Sequence, residues 1–443
     1  MRIVGVLLLT LSAITPASSV FVIVPGVITQ AGSGAFISML AGALLAVPIA
    51  YVYAELSSAF PIAGGEYCIA SRAVGHGFGF AALGLTVVGS VLSPAVLALG
   101  ASDYIAVVVP GPDKTAVAIA IIAVTTLLGI LHIRTNAWIT GVFLLLELLA
   151  LAALACLGLW NTQRSLWEIV AHPVVVSDNV LQATPLAMMG LATSVAIFAY
   201  YGFSAAVYFA EETHEAPRVI ARAILWSLVI TVITELVPVT AVLLGAPDLK
   251  ALLASQNPFS DFVATTGGHF LSIAISLSVA IAILNAVLAT VLQNARFFYS
   301  TGRDATWHPR VNDAFTATHD SYNSPWLATL AAGLFSMAAC FLGLQLLLVV
   351  TGTSIAIVYG IMCIAAIVGR RTGASRHAAY RMPLYPLLPV LGLLALAYVF
   401  YTSAMDPAVG QPSLIANAVI ILLSLVYYAV VISRRGGWTL HEP

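Results

Sequence analysis

Apolar runs of membrane-spanning length alternate with short polar breaks from one end of the chain to the other. About 20 residues of helix cross the hydrocarbon of a bilayer. Twelve runs of that kind can be marked, at about 3–30, 35–60, 77–109, 115–133, 136–160, 184–210, 219–245, 269–299, 326–343, 345–369, 384–405 and 413–433. None shows the period-two alternation of a membrane strand. The pattern predicts an all-α polytopic membrane protein with twelve transmembrane helices in one transporter-sized domain, residues 1–443.

Composition points the same way. Hydrophobic residues make up 61% of the chain and charged residues 8%, against about 25% charged in an ordinary soluble domain. The few charges set an orientation. With the N-terminus cytoplasmic, fourteen of the 17 lysines and arginines, Arg134 among them, fall on the inner side. Only Lys114, Arg164 and Lys250 fall outside. Both termini are then cytoplasmic, in a multi-pass protein of the cell inner (plasma) membrane. A net charge of −1 gives no electrostatic case for nucleic acid. No P-loop or HExxH pattern is present, so no cofactor and no metal site is expected. Nor is there the gathered nucleophile or acid–base cluster of an enzyme. Cys68, Cys156, Cys340 and Cys363 lie in or beside apolar spans without ligand spacing and read as buried packing residues.

The stretch "LSAITPASSVF" (residues 11–21) admits two readings. A cleaved signal has an apolar core of about 7–15 residues followed by a polar mature protein. Here the apolar character continues through Val20 to Ile28, and another span follows. Cleavage would also reverse the charge asymmetry. The reading that remains is a membrane helix interrupted at Thr15-Pro16. Proline removes one backbone bond and clashes with the carbonyl four residues earlier, and hydrocarbon tolerates such a break only in a protein interior or beside a cavity. Span 6 carries a matching irregularity, Gly202 among Phe198, Tyr200 and Tyr201. Transporters made of inverted repeats place their site where two discontinuous helices meet. Two repeats are therefore expected, about 3–160 and 184–369, with helices 11–12 added at about 384–433.

Several segments together resemble the amino acid–polyamine–organocation (APC) superfamily, close to its amino acid permeases. Ala17-Ser18-Ser19-Val20-Phe21 is similar to that family's first-helix break. "YAELSSAFPIAGGEYCIASRAVG" (53–75) resembles its pattern after span 2, and "FAYYGFSAAVYFAEETHEAPRVIARAI" its span 6 and tail. "NARFFYSTGRDATWHP" and "YRMPLYPLLPVLG" match further landmarks. The resemblance covers nearly the whole chain and implies a 5+5 inverted-repeat, LeuT-like fold with helices 1 and 6 broken. Three departures stand out. Ala17 and Ser19 replace glycines, Ser204 replaces a glutamate of some arginine and polyamine exchangers, and the family's tail before span 1 is nearly absent, so that Met1 reads as a truncated or misassigned start.

The second half of a broken first helix aims its free N–H groups and positive dipole end into the cavity, which suits an anion. A substrate carboxylate is expected on the N–H groups of Ser19, Val20 or Phe21, aided by the Ser18 and Ser19 hydroxyls, with Ala17 at the same turn. Carbonyls near Ile14 and from Phe198 through Ala199 to Tyr200 suit an α-ammonium. Phe198, by the resemblance, and Tyr201 are the expected gate and wall beside Gly202, with Ser204 and Thr353 as weaker lining candidates. An ionisable group at membrane depth is a functional hypothesis by default, and Glu147 in span 5 and Glu235 in span 7 are the two candidates for proton coupling. Relatives often carry a lysine near the Glu147 position. Glu55, Glu211 and Glu212 read as caps, as salt bridges to Arg72, Arg218 or Arg222, or as an inner gate, and Asp103 as interfacial. The function expected is a secondary active transporter importing an amino acid with a proton by alternating access. The alternatives are an amine or polyamine permease, in which a buried glutamate binds the cation, and an amino acid exchanger.

Overall fold

The computed structural model describes residues 1–62, 64–108, 111–131, 133–177, 179–435 and 438–440, with side chains throughout except at 103, 104, 106–108 and 133–139. Asp103 and Arg134 fall among those exceptions, so their expected placements lie outside the described residues.

The long helices, in order, are α1 (Ile3–Ile14), α2 (Val24–Ala31), α3 (Ala35–Ala59), α4 (Glu66–Ala73), α5 (His76–Val108), α6 (Lys114–Gly129), α7 (Ile133–Trp160), α8 (Leu186–Ala199), α9 (Ala216–Gly245), α10 (Gly268–Arg303), α11 (Trp326–Ala339), α12 (Leu344–Thr372), α13 (Leu387–Met405) and α14 (Gly410–Tyr427). Among the described residues, nine helical runs are long and apolar enough to cross a membrane, the first being the interrupted stretch Ile3–Ala59. Helices α6 and α11 are apolar but shorter. The run expected at 326–343 stops at Ala339 because the turn that follows, Cys340-Phe341-Leu342, is itself apolar, so hydropathy carries no mark of it. Of the four free cysteines three are buried, while Cys156 is exposed on the bundle's apolar flank, contrary to its expected burial.

Helix α9 packs on α7 and α3, α10 on α5 and α7, and α12 on α5 and α8. Helix α1 leans on α9 and on the segment Phe203–Glu212, while α2 and α3 both pack on α8. The two irregular helices thereby cross in the middle of the bundle. One element was not foreseen: an antiparallel hairpin of β1 (Val174–Ser177) and β2 (Val180–Ala183), with Val174 opposite Ala183. It clamps the turn between α2 and α3. The Val174 N–H donates to Ser33 Oγ at 2.8 Å, and Thr184 Oγ1 donates to the Ala31 carbonyl at 3.1 Å.

The arginine-rich end of the bundle is closed by ion pairs. Glu55 takes Arg370 Nε at 2.6 Å and the Met382 N–H at 2.8 Å, and the same guanidinium lies 4.2 Å from the Tyr385 ring centroid. Glu211 holds Arg303 through two 3.0 Å bonds, and Glu212 holds Arg296 at 2.9 Å. The glutamates do form salt bridges, and these reach Arg370, Arg303 and Arg296, arginines brought in by distant helices. Sequence proximity misleads here because side chains meet across the bundle, not along the chain.

Candidate substrate site

The first helix breaks at Thr15. Proline disfavours the helical region for the residue before it, and Thr15 sits at φ 48°, ψ 75°. Its N–H still closes α1 by donating to the Leu11 carbonyl at 2.8 Å, and its hydroxyl donates to the Ile14 carbonyl at 2.8 Å. The helix restarts at Pro16-Ala17-Ser18 and widens into a π turn over Ser19–Ile23. Pro25 accounts for the widening: it has no N–H for the Phe21 carbonyl, and the Val24 N–H reaches back five residues to Ser19 instead.

The sixth apolar run breaks where α8 ends at Ala199. Gly202 follows at φ 120°, a conformation side chains rarely adopt, and ten residues of 3₁₀ helix, Phe203–Glu212, continue from it. A Cβ on Gly202 would lie 2.8 Å from Ile14 Cγ1 and 3.0 Å from Ile14 Cα. The two breaks therefore touch, backbone to backbone. They are also bonded, since Ser19 Oγ donates to the Ala199 carbonyl at 2.9 Å.

A cavity of about 60 Å³ lies beside this crossing. Ala13, Ile14, Ser19 and Ile23 line it from the first break, and Phe198 and Tyr201 from the second. Leu97 of α5 and Ile355 and Val358 of α12 add an aliphatic wall, while Ser90, Ser93, Gln293, Asn294 and Ser354 add polar groups. Asn294 is fixed by donating to the Ser90 carbonyl at 2.6 Å. At the arginine-rich end the cavity stops on Glu66 and Tyr208. Glu66 is 2% exposed and accepts a hydrogen bond from Tyr53 at 3.2 Å and another from Tyr208. Burial pushes its carboxyl above the usual carboxylate range, against the tyrosine bonds that favour the charged form. Gly65, at φ 65°, allows the close approach, because a Cβ there would lie 2.7 Å from the Tyr208 ring.

On the other side of the first break lie the two membrane-depth carboxyls. Glu147 Oε1 accepts the Ala17 N–H at 2.9 Å, and the Ser18 N–H faces the same carboxylate. Glu235 faces Glu147, the Ser19 hydroxyl and Tyr200. Glu147 Oε2, both Glu235 oxygens, Ser18 Oγ, the Tyr200 hydroxyl and the Asn285 amide are buried without a well-formed hydrogen bond. Asn285 stands one turn from Ala289, whose methyl packs with Ala13 and Ala205, so it shares the face of α10 that looks at the break.

Of the expected substrate contacts, the structure brings Ser19, Phe198 and Tyr201 to the cavity wall. Ala17 and Ser18 turn to Glu147, and the Ser19 N–H is spent on the Thr15 carbonyl at 3.0 Å. Phe21 looks into a separate cleft and packs edge-on to Phe259 with centroids 5.7 Å apart. Val20, Ala199 and Tyr200 are buried beside the crossing rather than on the wall, and Gly202 is the contact with Ile14. Thr353 pairs with Ser413 at 3.1 Å and turns away from the cavity, leaving its neighbour Ser354 on the wall. Sequence reading missed Glu66, Tyr208 and Gln293. The charged residue inside "PIAGGEY" was the one available signal for the first of these.

Two interrupted helices cross beside a cavity within a bundle of apolar helices, an arrangement that fits a membrane transport protein. The family model described as "Amino acid permease" matches residues 3–426, and the chain belongs to that family, within the APC superfamily. It is 27% identical to a branched-chain amino acid permease of Lactococcus lactis subsp. cremoris, over 87% of this chain and 85% of that protein. It is 23% identical to a branched-chain amino acid permease of Bacillus subtilis, over 93% and 88%. A low-affinity putrescine importer of Escherichia coli is 21% identical, over 71% and 69%. Family and relatives are permeases, not enzymes.

Proposed function

We propose that this permease imports an amino acid with an aliphatic side chain, together with a proton, by alternating access to the cavity beside the two helix breaks. The observation that carries the reading is the wall itself: Ile14, Ile23, Phe198, Ile355 and Val358 line the cavity together with Ser19, whose hydroxyl joins the two breaks. The names of the two branched-chain relatives support the same class. The bundle is taken to cross the membrane twelve times with the LeuT-like inverted repeat and both termini cytoplasmic, so the Glu66–Tyr208 floor is the inner closure. Substrate contacts are assigned to Ser19, Phe198 and Tyr201, with Ala17, Ser18, Val20, Phe21, Ala199, Tyr200 and Gly202 building the surrounding turns. Glu147 is the coupling carboxyl and Glu235 its partner.

The test is uptake of labelled leucine, isoleucine and valine into proteoliposomes with and without an acid-outside pH gradient. Gradient-driven accumulation supports the reading, and Glu147→Gln abolishes that accumulation while leaving substrate binding. Uptake indifferent to the gradient and dependent on internal substrate identifies an exchanger instead. A second reading, an amine permease, rests on Glu66, the only carboxylate on the cavity wall among the described residues, and on the relative named as a putrescine importer. Full competition by putrescine against leucine selects it.

A further inference from the structure

We propose that Glu66 receives the ammonium group of the substrate in competition with the Tyr208 hydroxyl, whose bond to that carboxylate closes the cavity floor. The inference rests on the transport of an ammonium-bearing solute, which both readings above share, and adds the group that recognises it.

The carbonyls at the two breaks are already engaged. That of Ile14 accepts the Thr15 hydroxyl at 2.8 Å, that of Phe198 the Tyr201 N–H at 3.1 Å, and that of Ala199 the Ser19 hydroxyl at 2.9 Å. Among the described residues that line the cavity none is basic, and Glu66 is the only carboxylate. A buried carboxylate is costly unless a cation or hydrogen bonds meet it. The bonds to Glu66 come from two tyrosines, Tyr53 and Tyr208, and neither brings a positive charge. Two more cavity-lining tyrosines, Tyr201 and Tyr359, face the same carboxyl. The Tyr359 hydroxyl is buried without a hydrogen-bond partner, and its ring packs on Tyr53 and Phe203 at centroid distances of 5.7 and 5.8 Å. An ammonium brings three N–H donors, which a carboxylate flanked by phenol oxygens can accept. Val358 and Ile355 continue the wall along α12 from Tyr359, so the carbon chain behind the ammonium meets aliphatic surface.

The two tyrosines bonded to Glu66 are not equivalent. Tyr53 reaches Oε1 from α3, off the cavity wall, whereas Tyr208 reaches Oε2 and lines the cavity. An ammonium arriving through the cavity therefore contests the Tyr208 bond. Tyr208 also lines a second cavity, about 340 Å³, at the arginine-rich end beside Glu211, Arg296 and Tyr299. Among the described residues it is the only one that the two cavities share. Linkage is reciprocal: by whatever factor the Tyr208 bond weakens the ligand, the bound ligand weakens that bond. Filling the cavity thus loosens its partition toward the arginine-rich end.

The experiment is calorimetric binding to the full chain in detergent at one neutral pH. The ligands are leucine, isoamylamine, which lacks the carboxylate, and the α-hydroxy acid analogue of leucine, which lacks the ammonium. Glu66→Gln is expected to weaken leucine and isoamylamine by about tenfold to a hundredfold, as loss of a charge-assisted bond requires. Tyr208→Phe removes only the competing hydroxyl and is expected to tighten both by roughly threefold to tenfold. The hydroxy acid binds the unmodified protein more weakly than leucine and is not tightened by Tyr208→Phe. A packing role for Tyr208 would instead leave ammonium binding unchanged or weaken it, and either result overturns the competition. So does leucine binding indifferent to Glu66→Gln, or a hydroxy acid that matches leucine. Should Glu66→Gln fail to fold, Tyr208→Phe decides alone. A response by leucine while isoamylamine does not bind assigns the site to amino acids, the reverse assigns it to amines, and a response by both supports the ammonium as the shared determinant. Failure of both to bind the unmodified protein refutes the transport readings, and this inference with them.

Discussion

Gly202→Ala tests whether the backbone approach between the two breaks holds the site together. Two costs can be worked from the geometry. An L-residue at φ 120°, ψ −15° lies outside the regions side chains favour, at about 1–3 kcal/mol. The new methyl meets Ile14 Cγ1 at 2.8 Å and Ile14 Cα at 3.0 Å, an overpacking of about 1–3 kcal/mol. Together, about 2–6 kcal/mol fall on a structure whose net stability is of order 5–15 kcal/mol. The strain sits at the crossing, so transport is lost before the fold is. The assay pairs the initial rate of leucine uptake with the apparent unfolding midpoint followed by tryptophan fluorescence in detergent, at one fixed scan rate. The variant is expected to keep a folded midpoint several degrees lower and to lose at least nine-tenths of its uptake. Adding Ile14→Ala relieves the clash with the side chain but neither the clash with the Ile14 backbone nor the φ strain, so it restores stability only in part. An unaltered midpoint with normal uptake, or complete rescue by Ile14→Ala, refutes the reasoning.

Further outcomes follow from other interactions. Tyr208→Phe removes one bond to Glu66 at the inner closure, worth about 1.5 kcal/mol. It should raise the labelling of a cysteine placed at Ala13, in a cysteine-free background and from the arginine-rich side, by roughly tenfold; unchanged labelling counts against Glu66 as a gate. Glu55→Ala strands Arg370 and the Met382 N–H, at about 3 kcal/mol, so the unfolding midpoint falls clearly, while Glu55→Gln, which keeps an acceptor, falls less. Phe198→Ala opens the aliphatic wall and should raise KM for leucine more than for phenylalanine; equal changes would place Phe198 off the substrate.

Where local covalent chemistry decides the backbone, the chain could be read directly. Pro16 disfavours helix at Thr15 and so marks the first break, although Pro48, Pro94 and Pro238 sit inside helices that continue through them, and Gly202 marks the second break because so few other residues reach its φ. The broad helical architecture was equally open to inspection, since a bilayer leaves the backbone little alternative to helix. Side-chain partners were hidden. That Glu147 reaches Ala17 depends on the rotation and height of α7 against the first run, and a half-turn error in register would aim it at lipid. Glu66 was hidden for a similar reason. Its role appears only once Gly65 lets α4 turn beneath the bundle and meet Tyr208 on another element. The hairpin 174–183 was missed because Val174-Val175-Val176 continues an apolar, loop-length stretch with no alternation to betray a strand.

The segment Phe203–Glu212 has a consequence for how far the inner half of the molecule can travel. A 3₁₀ helix rises about 2.0 Å per residue and an α-helix about 1.5 Å. Its ten residues therefore store about 5 Å of slack that can be released by changing hydrogen-bond partners alone, without unfolding. The two forms also wind differently, by about 20° per residue, so five steps beyond Phe203 the bearing of Tyr208 would turn by about 100°. Coiling up shortens the segment and swings the Tyr208 hydroxyl off Glu66 in the same movement. Unlatching and withdrawal would then be one event, geared by the pitch of a single stretch of backbone.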